Sequence, residues 1–586
     1  MQNVLGNMLD EEIGYLIDTN MPNKRRPTIG FLNASGIQFF HRVWRGVADV
    51  ASENNVNAIS FIGQYVRDTK DFKAQANILY DLVDTERLDG LVIQDLMSNL
   101  LDQDEALAFY DRFRPLPIVS IGRRSLEGIP CIQSNGYEGM REAIIHLIEV
   151  HGCHQIAFIK GLPNYRPHAE RYQAYIDVLR DYDLPFDPSR VAVPVDAAEG
   201  DHPDWGRTAL LRLLDDQNAE IDALVTNDDQ YAHSLLPELQ KRNIRVPDDI
   251  ALVSFDDAEG SDCVTPPLTT VPIPIYKVGR KAAETLLDII AGKQGIEKIV
   301  NVPSGDVIVR QSCGCLNPIV SQVIAGNVEK VGLTEPLVIV FEQQRQRIVS
   351  SMLGVGEESS SVIKLEWVER LYDDFVTSIT NNEDGKGTNN FLTTMDEILR
   401  QVVAAEEEDI DDWKLVVSSL RREILPFLSE ENEGIISRNR IEDLWLQAQM
   451  LIGKVSQRVQ AYHELEAKRQ KRILNDISTA LATNFDFDEL AIILSRELPR
   501  LGITRGYLSI YEDPQPYHYP QPAPEWSRLV LAFDDEGSED LTNGEPGREE
   551  QRFRTKQLVP QELFAQQRPY NLIVQAIYSQ NEQIGF

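Results

Sequence analysis

The sequence predicts a multidomain α/β protein: a two-lobed, doubly wound core, then an α-helical and coiled-coil region, then a smaller α+β module. Three observations predict it. The chain has 586 residues, and a single hydrophobic core stops growing at roughly 250 to 300 residues, so two or three domains are required. From Pro27 to about Val309, short apolar β-branched runs alternate with amphipathic stretches, the pattern of parallel strands joined by crossover helices. After Leu316 that alternation gives way to long helical stretches rich in Glu and Asp, and beyond Asn484 it returns to mixed α and β.

Residues 1–26 form an N-terminal extension. Met1 to Lys24 mix Asp10, Glu11 and Glu12 with scattered apolar residues, without the basic start and apolar run of a signal peptide. In the core, residues 27–316, strands are expected at Thr28 to Leu32, Ala58 to Ile62, Gly90 to Ile93, Ile118 to Ile121, Gln155 to Ile159, Ala223 to Thr226 and Ala251 to Phe255. Helical periodicity fills most of the gaps, as in Val43 to Glu53 and Met140 to Val150. Two such blocks, meeting near Gly152 to Gly161, predict two lobes with a cleft between them. In open α/β sheets, ligands sit beyond the carboxyl ends of the strands. The residues just past those ends are polar or aromatic here: Asn33 to Phe40, Gln94 and Asp95, Gly122 to Arg124, Asn227 to Asp229 and Asp256 to Glu259.

Residues 317–435 read as helices at Val338 to Met352, Ile363 to Thr380, Phe391 to Glu406 and Asp412 to Leu428. A connecting helix is expected over residues 436–483, because Ile441 to Ala480 holds no proline. Its apolar seam of Leu444, Ala448, Leu451, Val455, Tyr462 and Leu465 fits either a parallel dimeric coiled coil or one helix packed on a neighbour. Residues 484–586 begin with a helix start at Asp486 to Glu489 and carry strands at Gly506 to Tyr511, Arg528 to Ala532 and Asn571 to Tyr578. Glu582 to Phe586 read as a strand just starting, which predicts a module cut short.

Composition narrows the function. With 42% hydrophobic and 25% charged residues the chain is a folded protein. A formal charge of -35 repels phosphate backbones, so direct DNA binding is not expected of it. All five cysteines precede Leu316 without a framework spacing, which fits a reducing cytoplasm. Nowhere do the roughly 18 consecutive apolar residues of a membrane span occur.

Several stretches then resemble the ligand-binding core of the lactose/galactose repressor (LacI/GalR) family, a periplasmic-binding-protein-like type I fold. The most specific is Val246-Pro247-Asp248-Asp249-Ile250-Ala251-Leu252-Val253-Ser254-Phe255-Asp256-Asp257, followed by Pro266-Pro267-Leu268-Thr269-Thr270-Val271. Ala223 to Asp228, His146 to Gly161 and Glu170 to Tyr175 add to it. The resemblance implies that Arg171, Asn227 and Asp256 hydrogen-bond a polar ligand and that Phe39, Phe40 or both stack on its face. Sugar-like ligands need such edges and plates. Other roles suit the same residues: Asn227 and Asp256 as helix caps, Arg171 paired with Glu170 or Asp228, and the phenylalanines as lobe packing. Ser254 and Asn243 stand where the family often has Gly. The family's helix-turn-helix headpiece is not matched by the 26 residues ahead of the core. The last module resembles a GAF domain, with Thr479 to Leu490 as its lead-in and Ile573 to Phe586 as a late strand.

No catalytic constellation stands out, and no cofactor is implied. His151, Cys153 and His154 lie close together, as do Cys313 and Cys315, but neither group has the four-ligand spacing of a structural zinc site, so no metal is expected. His463 with Glu464 and the acidic run Glu406 to Asp412 read as solvated surface. The expectation is a cytoplasmic, homodimeric signal-transduction sensor. It would bind a small polar ligand, sugar-like or nucleoside-like, between its lobes and relay their closure through the connecting helix to a C-terminal output. The alternative is a LacI-family transcriptional regulator whose DNA binding is supplied elsewhere or lost.

Overall fold

In the computed structural model the chain divides into two compact units that adjoin at the Gly314–Cys315 bond: residues 1–314 together with 477–586, and the intervening helical segment. The structure describes residues 25–34, 40–66, 72–98, 101–122, 126–161, 166–193, 204–217, 219–316, 337–358, 363–380, 390–405, 410, 412–427, 438–483, 493–517, 521–534, 551–560, 563, 569–579 and 582–586.

The first lobe begins with β1 (Thr28–Ala34), α1 (Phe40–Glu53), β2 (Asn57–Gly63), β3 (Gly90–Gln94), α2 (Gln103–Asp111), β4 (Ile118–Ile121) and β5 (Cys131–Asn135). Every residue of β1 and of β2 is buried. That is why both read as mostly apolar runs without a polar alternation, as strands covered on both faces do, with Ser60 the one polar residue inside β2. Helix α2 starts where Asp102 and Glu105 exchange side-chain bonds with each other's backbone N–H, a reciprocal cap that satisfies two otherwise unpaired donors.

The second lobe follows with α3 (Tyr137–His151), β6 (Ile156–Ile159), α4 (Arg166–Asp181), β7 (Val191–Ala192), α5 (Trp205–Leu211), β8 (Ala223–Thr226), α6 (Asp229–Lys241), β9 (Ala251–Asp256) and β10 (Thr269–Pro272). Its sheet runs β10-β9-β8-β6-β7, all parallel. The chain then returns to the first lobe as α7 (Ile275–Ile290) and β11 (Ile299–Pro303), which pairs with β5. This corrects the expectation of two blocks meeting near Gly152 to Gly161. The first crossing is at Gly136, and the first lobe is discontinuous in sequence because α7 returns to pack beside α1 on β3, β4 and β5.

The crossings touch. A Cβ on Gly139 would come within 2.6 Å of Val271 and 2.5 Å of Ser304, and one on Gly305 within 2.7 Å of Pro272. Helices α1 and α7 also approach closely. A Cβ on Gly279 would lie 2.2 Å from the Val43 carbonyl oxygen, and one on Gly46 2.4 Å from that of Tyr276.

Five further helices are α8 (Leu337–Glu358), α9 (Leu365–Thr380), α10 (Asn390–Ala405), α11 (Asp412–Ile424) and α12 (Arg438–Thr483). Phe341, Phe375, Phe391 and Trp413 are buried in a common core with Leu444, Ala448, Ile452 and Val455 of α12. The first half of the expected coiled-coil seam is therefore internal packing, with Ile452 and Trp445 completing the stripe. Tyr462 and Leu465 are more than half exposed.

The C-terminal segment comprises β12 (Arg505–Tyr511), β13 (Trp526–Asp534), β14 (Arg552–Arg554), β15 (Asn571–Gln575), β16 (Ile577–Ser579) and β17 (Glu582–Gly585). Five of these form an antiparallel sheet in the order β14-β13-β12-β17-β16. The single strand expected at Asn571 to Tyr578 is broken at Ala576. Its first half, β15, pairs in parallel with β2 as the edge of the first lobe's sheet, which runs β11-β5-β4-β3-β1-β2-β15. Gln75 and Tyr517 exchange bonds: the Gln75 amide donates to the Tyr517 carbonyl at 3.0 Å, and the Tyr517 N–H donates to Gln75 Oε1 at 2.9 Å. Tyr511, Tyr517, Leu558, Val559 and Val574 share a core with Leu79, Phe109 and Tyr110.

Candidate functional site

Three of the residues singled out by sequence meet at the carboxyl ends of the second lobe's strands. Arg171, in the second turn of α4, has a side chain only 5% exposed. Its guanidinium lies 2.9 Å from Asp256 Oδ1, donates to the Asn227 carbonyl at 2.6 Å, and covers the Phe255 ring at 3.8 Å from the centroid. Asn227 is fully buried and donates from Nδ2 to the His168 carbonyl at 3.3 Å. Arg171 Nε and Asn227 Oδ1 have no hydrogen-bond partner among the described residues. Burying such atoms unpaired costs about 1–3 kcal/mol each, so a site that keeps them is prepared for a polar partner.

The alternatives open in the sequence resolve. Asp228, not Asn227, caps α6: its side chain accepts from the Tyr231 N–H at 3.2 Å. Asp256 caps nothing. It ends β9 with φ at 111°, a left-handed value that turns its carboxylate toward Arg171 rather than continuing the strand's alternation. Arg171 pairs with Asp256 rather than with Glu170 or Asp228. Burial pushes the Asp256 carboxyl well above the usual carboxylate range; Arg171 pulls it down, and Asp228 and Asp229 push it up.

Asp229 holds the loop after β9 in place. One oxygen accepts from the Ala258 N–H at 2.8 Å and from Ser261 Oγ at 2.7 Å, and the other from Thr270 Oγ1 at 2.7 Å. Its role is structural, and burial raises its pKa.

The first lobe contributes polar ends too. Asn33 Nδ2, Gln94 Oε1, Asp95 Oδ2 and Ser134 Oγ, at the ends of β1, β3 and β5, are buried without a hydrogen-bond partner among the described residues. Gly136, one residue past β5, packs against Arg171: a Cβ there would lie 3.0 Å from Nε and 3.3 Å from the Phe255 ring. Of the two phenylalanines, Phe39 lies outside the described residues. Phe40 opens α1, half-buried, with its ring edge-on to His41.

Sequence reasoning missed Phe255 as the plate beneath Arg171, Gly136 as its neighbour, and Lys160, whose ammonium sits 3.6 Å from the Tyr172 ring centroid just past β6. The polar strand-end rule points to Lys160; nothing local marks Gly136. A surface cavity of about 570 Å³ on the helical unit, lined by Arg345, Glu369, Arg370, Asp373 and Asp374, is the weaker candidate because its charges pair among themselves.

The periplasmic binding protein-like domain family matches residues 145–313. This stretch is a periplasmic-binding-protein-like domain of the kind found in LacI/GalR regulators. The periplasmic-binding-protein-like core is of type I, with parallel sheets. The probable HTH-type transcriptional repressor ExuR of Bacillus subtilis is 29% identical over 293 residues, 48% of this chain and 81% of ExuR. The HTH-type transcriptional repressor CytR of Escherichia coli is 26% identical over 288 residues, 48% of this chain and 79% of CytR. Among solved structures, the transcriptional regulator CelR–cellobiose complex aligns at 25% identity with a TM-score of 0.41, covering 50% of this chain and 86% of that one. These relatives are named as transcription regulators. No described helix is long and apolar enough to cross a membrane.

Proposed function

We propose that this chain is a ligand-responsive transcription regulator whose periplasmic-binding-protein-like core senses a small polar molecule, sugar-like or nucleoside-like, with DNA binding supplied by another segment or partner. One observation carries the reading: Arg171, Asn227 and Asp256 converge at the strand ends with buried polar atoms left unsatisfied, over the face of Phe255. The Arg171 Nε–H as donor, with a carboxylate and an amide oxygen as acceptors, suits vicinal hydroxyls or the edge of a polar ring. Phe39, Phe40 or both would stack on the ligand's face, as the family resemblance implies. The repressor relatives favour this reading over a relay to a C-terminal output.

The relay keeps one supporting observation, since the C-terminal segment adds β15 to the first lobe's sheet, where lobe movement would reach it. On that reading the antiparallel sheet is a GAF-type module. A homodimer through the exposed Tyr462 and Leu465 of α12 fits either reading, and Tyr462→Glu/Leu465→Glu would then convert a dimer to a monomer in light scattering.

The test is thermal unfolding of the full chain against a panel of sugars, nucleosides and purines. A ligand at 100 times its Kd adds about 2.7 kcal/mol to the unit that binds it. A compound that raises the midpoint of wild type but not of Asp256→Ala supports the site. A panel without effect, or shifts that persist in the variant, contradicts it.

A further inference from the structure

The geometry points to a tetrahedral metal site, selective for a zinc-like divalent cation, formed by His146, His151, Cys313 and Cys315 away from the ligand cleft. The ligand atoms of these four residues all lie within 4.8 Å of one another. A tetrahedral zinc with bonds of about 2.0–2.3 Å needs donor separations of roughly 3.3–3.8 Å, so closing on the ion takes a contraction of about 1 Å. Sequence spacing divided these residues into two groups of two or three, and His146 entered neither; the fold joins them and leaves Cys153 and His154 outside.

Each element holds its ligands in place. His146 and His151 come from the last turns of α3, which ends at Gly152 in the left-handed conformation, with φ of 66°. Their ring centroids are 5.1 Å apart at 72°. Opposite them, Ser312 is locked into the second lobe: its hydroxyl donates to the Leu252 carbonyl at 2.6 Å and accepts from the Thr269 N–H at 2.8 Å, while its carbonyl accepts from the Leu252 N–H at 2.8 Å. That anchor fixes Cys313, which is buried. Gly314 has φ of 111°, and a Cβ there would lie 3.1 Å from the His151 ring. The Cys-Gly-Cys turn therefore lies against the imidazole, and Cys315, the next residue along, follows it into the cluster.

The donor set selects the ion. Two thiolates and two neutral imidazoles neutralise a divalent charge, which keeps the cost of a partly buried site low. The absence of a carboxylate in the set disfavours calcium and magnesium. Cys153, next to the end of α3, is not among the residues whose ligand atoms converge. An ion held here would pin the end of α3 to the turn that closes the α/β core.

The test uses the full chain, reduced and stripped with a chelator, titrated with Co²⁺. The expected result is one tightly held ion per chain, with the ligand-field spectrum of tetrahedral cobalt, a sulfur-to-cobalt charge-transfer band, displacement by Zn²⁺ and a higher unfolding temperature. Cys315→Ser, at a half-exposed position, is expected to fold as wild type does and to weaken binding more than roughly 100-fold, beyond the range of outer-shell changes. The metal-free melting curve of each variant separates lost binding from lost folding. A missing charge-transfer band at saturating Co²⁺ would overturn the proposal, as would one unchanged in Cys315→Ser and His146→Gln.

Discussion

Arg171→Ala tests whether the buried ion pair organises the cleft. The substitution removes the cation 2.9 Å from Asp256 Oδ1, the 2.6 Å bond to Asn227 and the cover over Phe255. Breaking a buried pair by taking away one partner costs about 3–5 kcal/mol, because the other charge stays buried alone. Here the lower end applies, since Asp256 can escape by taking a proton: about 3 kcal/mol, roughly a 150-fold rise in local opening. The pH dependence has a definite sign. A carboxyl whose folded value is raised holds an extra proton in the folded chain, so its contribution to stability falls as pH rises from the ordinary 3.8 through the folded value. Removing Arg171 raises that folded value further. The deficit is therefore largest at neutral pH and shrinks toward pH 4. Hydrogen exchange of β6 and β9 in the full chain reads it directly, and Arg171→Ala/Asp256→Asn, which leaves no buried charge, should recover most of the loss. A double variant as open as the single one, or a deficit independent of pH, would refute the reasoning.

Three more outcomes follow from the structure. Gly279→Ala sets a methyl against the Val43 carbonyl at the crossing of α1 and α7, and the overpacking should cost about 1–3 kcal/mol in thermal unfolding of the core. Val574→Asp puts a charge into the core beside β2, releasing β15 and the bond from the Ala58 N–H to the Tyr570 carbonyl; amides of residues 57–63 should exchange faster while those of β9 do not change. Burial lowers the His233 pKa, against the pull of Asp229; its stabilising contribution is full above the ordinary 6.5 and lost as pH falls through the folded value, so His233→Gln should flatten part of that slope in pH-dependent melting.

The second lobe was the most legible part of the sequence, because central parallel strands buried on both faces leave short, mostly apolar runs such as Ala223 to Thr226 and Ala251 to Phe255, and polar residues at their ends mark the cleft. Arg171, Asn227 and Asp256 could be named by resemblance, but not what they do to one another. The positive φ at Asp256, which turns its carboxylate to the guanidinium, has no local signature. Long-range partnerships were hidden for a similar reason. Nothing in Asn571 to Gln575 says that it pairs with β2, and Ala576 is an unremarkable place for a strand to change sheets. The seam on α12 was legible as a period but not as a partner, since a stripe spaced for a second copy serves equally well to cover Phe375 and Trp413. His146 and Cys313 lie at opposite ends of the second lobe's sequence, and only folding brings them together.

Calorimetric titration of wild type and Asn227→Ser with the strongest compound from the ligand panel tests the cleft itself. Asn227 Oδ1 is buried without a described partner, so Asn227→Ser takes from the empty protein only the Nδ2 bond to the His168 carbonyl and takes from the complex the ligand's bond to Oδ1 as well. Affinity should fall by about 0.5–1.5 kcal/mol, roughly 2- to 12-fold, the usual worth of a hydrogen bond between neutral groups, beyond any loss of ligand-free stability from the broken His168 bond, which the melting curve without ligand reads separately. Equal affinity in the two proteins would mean that the ligand binds elsewhere and that the convergence of Arg171, Asn227 and Asp256 is structural.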